Sequence, residues 1–333
     1  MISSSSPSAI REVLEQFVRE ELSLENTQIA SAVWAMLDAG GKELRPRITL
    51  LAAGATSAEA PRDPVLASYM ELIHVATLIH DDVVDNARLR RGKDSTNNTH
   101  GNRFSVLAGD YLFSWVFKKA TLGYDNPVPN ILSSMLSEIC NGEVKQLRAS
   151  GNLQLQRDQY FEIIGKKTAE LFASSAEVGS VVALQRTTGK SGPALRQHPT
   201  VQALRAYGWA FGMAFQVRDD ILDVIASEAA LGKPAGSDLR ERKVTLPLIL
   251  AMASGDSELR RAISELFASD DAGATPQLAD VVQRLRQGPI IEAAQGVVRD
   301  FEHQAQAALQ RLNPSKAVVE LEALTHALSE YTS

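Results

Sequence analysis

The chain has 333 residues, 44% of them hydrophobic, and a formal net charge of −6, enough for a sizeable core in one or two domains. An isoelectric point near 5.6 sets the global field against nucleic acid, and a single cysteine, Cys140, excludes an intrachain disulfide framework or a Cys-rich metal site. Met1-Ile2-Ser3-Ser4 has neither the basic start nor the apolar run of a signal peptide, and the most apolar later stretch, residues 244–253, falls short of the ~20 residues that span a bilayer. The expected location is therefore the cytoplasm, with no integral membrane segment.

Residues 1–8 read as a flexible tail and 9–333 as a single all-α domain. Helical periodicity predicts helices at about 9–22, 25–38, 43–54, 64–86, 103–120, 128–148, 157–184, 199–225, 244–253, 257–268, 276–286, 290–311 and 315–330. Asp63 before Pro64 is an N-cap signal, and Gly40-Gly41 closes the helix that contains Trp34 and Leu37. Cys140, beside Ile139, is expected in the core rather than as a nucleophile. Turn-rich breaks at 124–127, 187–199 and 269–276 are too short for domain linkers.

Candidate chemistry also follows the chain. Gly40-Gly41-Lys42-Glu43-Leu44-Arg45 offers backbone N–H groups, a point charge and a bidentate guanidinium to phosphate, although a solvated basic turn has the same composition. His74 precedes Asp81 by two helical turns and shares its face. In Ile79-His80-Asp81-Asp82-Val83-Val84-Asp85, the i,i+4 spacing puts Asp81 and Asp85 on one face with Asp82 turned away; such a pair repels unless a cation sits between. His80 reads as a packing residue. Arg88, Arg90, Arg91 and Lys93 follow, and a pyrophosphate between the acidic and basic runs would balance them. Lys166-Lys167-Thr168 interrupts an amphipathic helix. Asp219-Asp220-Ile221-Leu222-Asp223 repeats the first aspartate pattern, with Lys233 and Lys243 after it. Each basic group could equally be a solvated face. Carboxylates without His or Cys suit a hard cation, and one held by few protein ligands suits Mg²⁺ completed by substrate phosphate. Gly165-Lys166-Lys167-Thr168 is not a phosphate loop, because Tyr160 stands where its first glycine belongs.

From about Gly40 to Leu250 the chain resembles the trans-isoprenyl diphosphate synthases of the polyprenyl synthetase family. The resemblance is carried by Gly-Gly-Lys-x-x-Arg-Pro at 40–46, Asp-Asp-x-x-Asp followed by Arg90-Arg91-Gly92, Leu107-Ala108-Gly109-Asp110, Lys167-Thr168-Ala169, and Phe215-Gln216-x-x-Asp219-Asp220-x-x-Asp223 with Gly232-Lys233-Pro234. It implies a single large bundle of antiparallel helices around a deep central cavity, generally a homodimer, with the aspartate motifs facing each other across its mouth. It also implies that Asp81, Asp85 and Asp219 bind three Mg²⁺ ions bridging an allylic diphosphate, with Asp82, Asp220 and Asp223 completing the motifs. Arg90, Lys167, Thr168, Gln216, Lys233 and Lys243 would contact that diphosphate, and Lys42, Arg45, His74 and Arg91 would hold isopentenyl diphosphate. The allylic partner would be dimethylallyl, geranyl, farnesyl or geranylgeranyl diphosphate, and product release would involve peripheral membrane contact. Glu43 departs from the pattern, standing where the family commonly has a basic residue; Arg88 and His100 depart as well.

Chain length is expected to follow from what lies below Asp81 on its own helix. At 1.5 Å per residue, Ala76, Ile73 and Met70 lie roughly 7, 12 and 16 Å below it. Short-chain members block the upper level with an aromatic residue at the positions held here by Thr77 and Ala76, so the product is expected at about C30 to C50, a quinone side-chain precursor. Trp115 or Phe113 supplying the floor instead would make this a farnesyl or geranylgeranyl diphosphate synthase. A terpene cyclase should lack the second aspartate motif and Gly-Gly-Lys-x-x-Arg-Pro, and a non-catalytic partner subunit should have lost some of the six motif aspartates, all of which are present.

Overall fold

The apolar run before the first aspartate motif forms the helix Pro64–Val84, and two residues set its start. Asp63 accepts a hydrogen bond from the Leu66 N–H at 2.9 Å, and Pro64 takes the first turn, where a missing N–H costs nothing. The other Asp63 oxygen accepts from the Tyr124 hydroxyl at 3.0 Å and from Arg186 at 2.5 Å, so the cap also anchors two distant segments. Leu66, Met70, Ile73 and Ala76 form a fully buried stripe at helical spacing. The helix packs against Asn102–Gly123, Leu44–Thr56 and Pro7–Gln16.

The computed structural model describes residues 7–41, 43–90, 92–226, 236–269 and 276–329, and they are all-α apart from one short ladder. After Pro7–Gln16 come a π-helical stretch Phe17–Leu22, a turn Ser23–Glu25, and helices Thr27–Asp38, Leu44–Thr56 and Pro64–Val84. Leu89–Arg90 pairs antiparallel with Lys93–Asp94, Leu89 opposite Asp94, a ladder too short to show alternation in sequence. The chain continues through Thr96–His100, Asn102–Gly123, Val128–Ala149, Arg157–Ile164, the π-helical stretch Gly165–Ala169, Glu170–Thr188, the 3₁₀ turn Pro193–Gln197 and Pro199–Ile225. It ends with Ser237–Arg240, Leu246–Ala253, Ser257–Ala268, Pro276–Gln287, Ile290–Leu309 and Lys316–Ser329. No described helix is long and apolar enough to cross a membrane.

The described residues fall into two compact units. One takes in Met1–Met135, Leu171–Gly208 and Ala308–Glu322, the other Leu136–Glu170, Trp209–Ala307 and Ala323–Ser333. Every boundary lies inside a helix rather than in a turn-rich break. In the first unit Trp115 stacks on Phe17 at 4.0 Å and meets Tyr69 edge-on at 5.8 Å, and Phe113 lies against His80 at 5.6 Å. The fully buried Glu177 is held by Arg196 at 2.6 Å and Arg205 at 2.9 Å, which offsets the cost of taking its charge out of water. In the second unit Leu246–Ala253 packs on Arg157–Ile164 and on Ser257–Ala268, whose start is capped by Asp256 at 2.9 Å from the Leu259 N–H.

Three expectations are corrected. The helix expected at 9–22 starts at Pro7 and turns π-helical at Phe17–Leu22. Cys140 is exposed: the buried stripe of Val128–Ala149 runs through Ile131, Leu132, Met135 and Ile139, and the next residue points about 100° away from it. The helix expected at 157–184 is interrupted at Gly165–Ala169 by a π-helical stretch, which shifts the phase of every side chain after it.

Among the described glycines of the first unit, Gly179 marks the tightest approach to another backbone, since a Cβ there would stand 2.1 Å from the Thr49 carbonyl oxygen. Gly179→Ala is expected to destabilise the protein by about 1–3 kcal/mol through overpacking, read as a lower urea midpoint with an unchanged slope; an unchanged midpoint would contradict the contact.

Candidate functional site

In the first unit the aspartate motif occupies the last turn of Pro64–Val84. Asp85 is the residue that caps the helix, and its N–H bonds back to the Asp81 carbonyl at 2.8 Å, which preserves the i,i+4 relation. The chain then leaves through Asn86 in the left-handed region, φ 50°. Asp81 and Asp85 are half-buried, whereas Asp82 is fully buried. A C-terminal helix end carries partial negative charge from its unsatisfied carbonyls, so carboxylates here are repelled both by each other and by the helix. Asp82 meets this internally: its Oδ1 accepts from Arg90 Nε at 2.8 Å and from a terminal guanidinium nitrogen at 2.5 Å, and its carbonyl accepts from Asn97 at 3.1 Å. Its Oδ2 is buried with no hydrogen-bond partner. Burial pushes the Asp82 carboxyl pKa up, and Arg90 pulls the other way.

The basic run after the motif is only partly available to a ligand. Arg90 is committed to Asp82, Lys93 pairs with Asp38 at 3.0 Å, and Arg88 is exposed. Two of the four cations are thus met by carboxylates of the chain, where the sequence suggested a pyrophosphate or a solvated face; Arg91 lies outside the described residues. His74 is half-buried, with its carbonyl accepting from Thr77 at 2.8 Å. His80 is a packing residue, as expected: its Nε2 donates to the Val106 carbonyl at 3.0 Å, and its ring fills the space a Gly109 side chain would need.

The Gly40-Gly41 turn ends Thr27–Asp38, with Gly40 at φ 79°. Lys42 lies outside the described residues. Glu43 sits in the left-handed region at φ 44°, with one carboxylate oxygen buried and without a hydrogen-bond partner. Burial raises its pKa, opposed by Arg11 and Arg47. Arg45 stacks its guanidinium over the Phe172 ring at 4.4 Å, which fixes its plane.

In the second unit the repeated motif lies in the last two turns of Pro199–Ile225, again at a negative helix end. Asp219 is exposed, while Asp220 and Asp223 are buried. Both Asp220 oxygens are taken: Oδ2 by the Tyr160 hydroxyl at 2.6 Å and Oδ1 by the Gln216 amide at 2.8 Å, whose oxygen accepts from Thr168 at 2.7 Å. Burial pushes Asp220 up to about 7 against the pull of those two donors. Asp223 accepts from the Ser237 hydroxyl at 2.6 Å and from the Asp238 N–H at 3.0 Å. It therefore helps to fix the start of Ser237–Arg240. Lys167 bonds Glu143 at 2.6 Å, Lys166 bonds Glu138, and Lys243 bonds Glu241 at 2.6 Å. Lys233 lies outside the described residues.

The π-helical stretch places Lys167 and Thr168. A Cβ on Gly142 would stand 2.6 Å from the Lys167 backbone nitrogen, and one on Gly165 would stand 2.7 Å from the Trp209 ring, so both glycines admit close approach. Sequence reading missed Tyr160 and Glu143 as functional neighbours. Gly142 inside a regular helix was the one local sign of the latter.

Among the described residues no group of three or more His, Cys, Asp or Glu side chains forms a ready metal cage. The accessible donors are carboxylate oxygens only, at helix ends that favour a cation, and the orphaned Asp82 oxygen adds to the same negative field. This donor set fits a hard, oxygen-seeking ion that keeps several waters.

The chain matches the polyprenyl synthetase family over residues 26–285. It is 36% identical over 286 residues to heptaprenyl diphosphate synthase component 2 of Geobacillus stearothermophilus, an alignment covering 85% of this chain and 82% of that one. Among solved structures, a decaprenyl diphosphate synthase from Rhodobacter capsulatus superposes with a TM-score of 0.87 at 34% identity, over 99% of this chain and 98% of the other. A polyprenyl synthase from Caulobacter crescentus, complexed with calcium and isoprenyl diphosphate, superposes with a TM-score of 0.85 at 32% identity, over 97% and 93% of the two chains.

Arg90 is the donor set of Asp82, so Arg90→Ala is expected to leave a buried carboxylate unpaired. The loss should be about 2–3 kcal/mol, below the full range for buried pairs because Arg90 is partly exposed. Urea denaturation of the variant checks it, and a wild-type midpoint would show that Asp82 is satisfied by other means.

Proposed function

Because the chain belongs to the polyprenyl synthetase family, as a prenyltransferase of the polyprenyl diphosphate synthase type, we propose that it condenses isopentenyl diphosphate with an allylic diphosphate to a long all-trans product. The observation that carries the reading is the accessible carboxylate at the negative end of a long helix, present in each unit. Asp81, Asp85 and Asp219 are proposed to hold three Mg²⁺ ions. Bound Mg²⁺ neutralises the allylic diphosphate and makes it a competent leaving group.

The chain's own residues supply the rest. Lys167 and Thr168, on the π-helical stretch, are proposed to bind the departing diphosphate with Gln216, Lys233, Lys243 and those N–H groups of Arg90 that Asp82 does not take; phosphate oxygens then compete with Glu143 for the Lys167 ammonium. Arg45, held flat by Phe172, is proposed to take isopentenyl diphosphate through two parallel hydrogen bonds, with Lys42, His74 and Arg91. The allylic cation left by ionisation is attacked by the second substrate's double bond, and the resulting cation gives up a proton to the released diphosphate to restore a double bond. Water would quench that cation, so the chain must grow along apolar surface.

Product length is proposed at about C30 to C50, set along the Asp81 helix. Ala76 and Ile73 are fully buried there, and Thr77 is half-buried. The alternative floor residues pack on the same helix, Trp115 at Tyr69 and Phe113 at His80. The heptaprenyl and decaprenyl synthases among the relatives support a long product. A cytoplasmic homodimer is the proposed form. A relative named as component 2 favours a second reading, in which a partner chain is required.

Incubating the purified chain alone with Mg²⁺, labelled isopentenyl diphosphate and a series of allylic primers, then sizing the products, tests all of this. Turnover without any other chain is expected; none under any primer would favour the partner reading. Asp81→Ala and Asp219→Ala should each lower turnover by orders of magnitude, about 10²-fold or more, and near-normal rates under saturating Mg²⁺ would remove those residues from the metal site. Ala76→Tyr should shorten the products to about C15–C20 with Mg²⁺ dependence retained, whereas an unchanged distribution would place the floor elsewhere.

A further inference from the structure

Asp220, which is given no contact of its own in the proposed reaction, sits at the centre of a hydrogen-bonded chain. It is 4% exposed, and each of its oxygens has a donor, Tyr160 at 2.6 Å and Gln216 at 2.8 Å. Tyr160 is itself buried, and its hydroxyl lies 60 residues from Asp220 in sequence. Thr168 closes the chain on Gln216 at 2.7 Å. Two struts therefore join the continuous run Arg157–Ala169 to the helix Pro199–Ile225: Tyr160 to Asp220, and Thr168 to Gln216. Two separated struts fix both the register and the angle of one helix on another, which a single contact cannot do. The accessible cation Lys167 is the neighbour of Thr168, and the accessible carboxylate Asp219 is the neighbour of Asp220.

We infer that Tyr160 is a positioning residue: its hydroxyl, acting through Asp220, holds Asp219 in place relative to Lys167. The inference rests on the reading of Asp219 as a ligand of the metal and diphosphate. Without the Tyr160 hydroxyl, a carboxylate buried in low dielectric loses one of two donors, and such a group turns or draws water to recover the bond. Asp219, the preceding residue on the same helix, moves with it.

Titration calorimetry of the full chain with inorganic pyrophosphate in saturating Mg²⁺ reads this without turnover, alongside the Mg²⁺ concentration that gives half-maximal rate. Tyr160→Phe, which removes one oxygen, is expected to weaken pyrophosphate binding about 5- to 20-fold and to raise the half-saturating Mg²⁺ several-fold. Tyr207→Phe is the control, since it deletes an equally buried hydroxyl that donates to the Leu321 carbonyl at 3.0 Å; it should lower the melting temperature and leave pyrophosphate affinity alone. Asp220→Ala should weaken binding as well, and adding Tyr160→Phe to it should cost nothing more, because the hydroxyl acts only through that carboxylate. Should Tyr160→Phe fold poorly, Asp220→Asn, which keeps the shape of the side chain, takes its place and must weaken pyrophosphate binding likewise. Unchanged affinity in Tyr160→Phe, or losses that add in the double variant, would overturn the inference. A parent protein that binds no pyrophosphate with Mg²⁺ would instead overturn the functional reading beneath it.

Discussion

Negative charge at the carboxyl end of a helix is the condition around which each unit is arranged. The peptide carbonyls at such an end already point their partial charge outward, so natural helices end in Lys, Arg or His far more comfortably than in aspartate. Here Pro64–Val84 and Pro199–Ile225 each finish with aspartates at i, i+1 and i+4. The surrounding residues follow from how that charge is met: some of it by guanidinium, hydroxyl and amide donors of the chain, and the remainder by whatever cation the solvent supplies.

The two motifs divide their aspartates in a parallel way. In each, the second aspartate is buried and turned inward, Asp82 to Arg90 and Asp220 to Tyr160 and Gln216. In each, the first remains accessible to solvent, Asp81 in part and Asp219 more so. The third differs, Asp85 capping its helix half-exposed and Asp223 bonded to Ser237 and the Asp238 N–H. A pattern that looks like a plain repetition is thus a pairing of one outward carboxylate with one inward strut. The strut makes the outward carboxylate's position a property of the helix packing rather than of a flexible side chain.

Much of this was legible in the sequence where the cause is local. Asp63 before Pro64 announced a helix start, Gly40 announced a stop, and the i,i+4 spacing of Asp81 and Asp85 survived into the structure because a helix enforces it. What could not be read depends on partners far along the chain. Tyr160 bears no local mark of its bond to Asp220, and Arg90 looked like part of a basic patch until Asp82 was found buried beside it. The π-helical stretch at Gly165–Ala169 was invisible for a related reason, since its residues are ordinary helix formers apart from one glycine, and the extra residue per turn reflects close packing at Gly142 and Trp209. Cys140 was misplaced by a single step around a helix, a reminder that an apolar neighbour in sequence is a neighbour on the adjacent face.

The interleaving of the two units also bears on how the polypeptide comes off the ribosome. The first unit opens the chain yet takes its last piece from Ala308–Glu322, where the Leu321 carbonyl receives the buried Tyr207 hydroxyl across 114 residues. At synthesis rates of about 5–20 residues per second, its apolar faces wait tens of seconds for the segment that completes them. Folding of the first unit therefore cannot be completed before Ala308–Glu322 has been synthesised, and its apolar faces stay collapsed or sheltered until then.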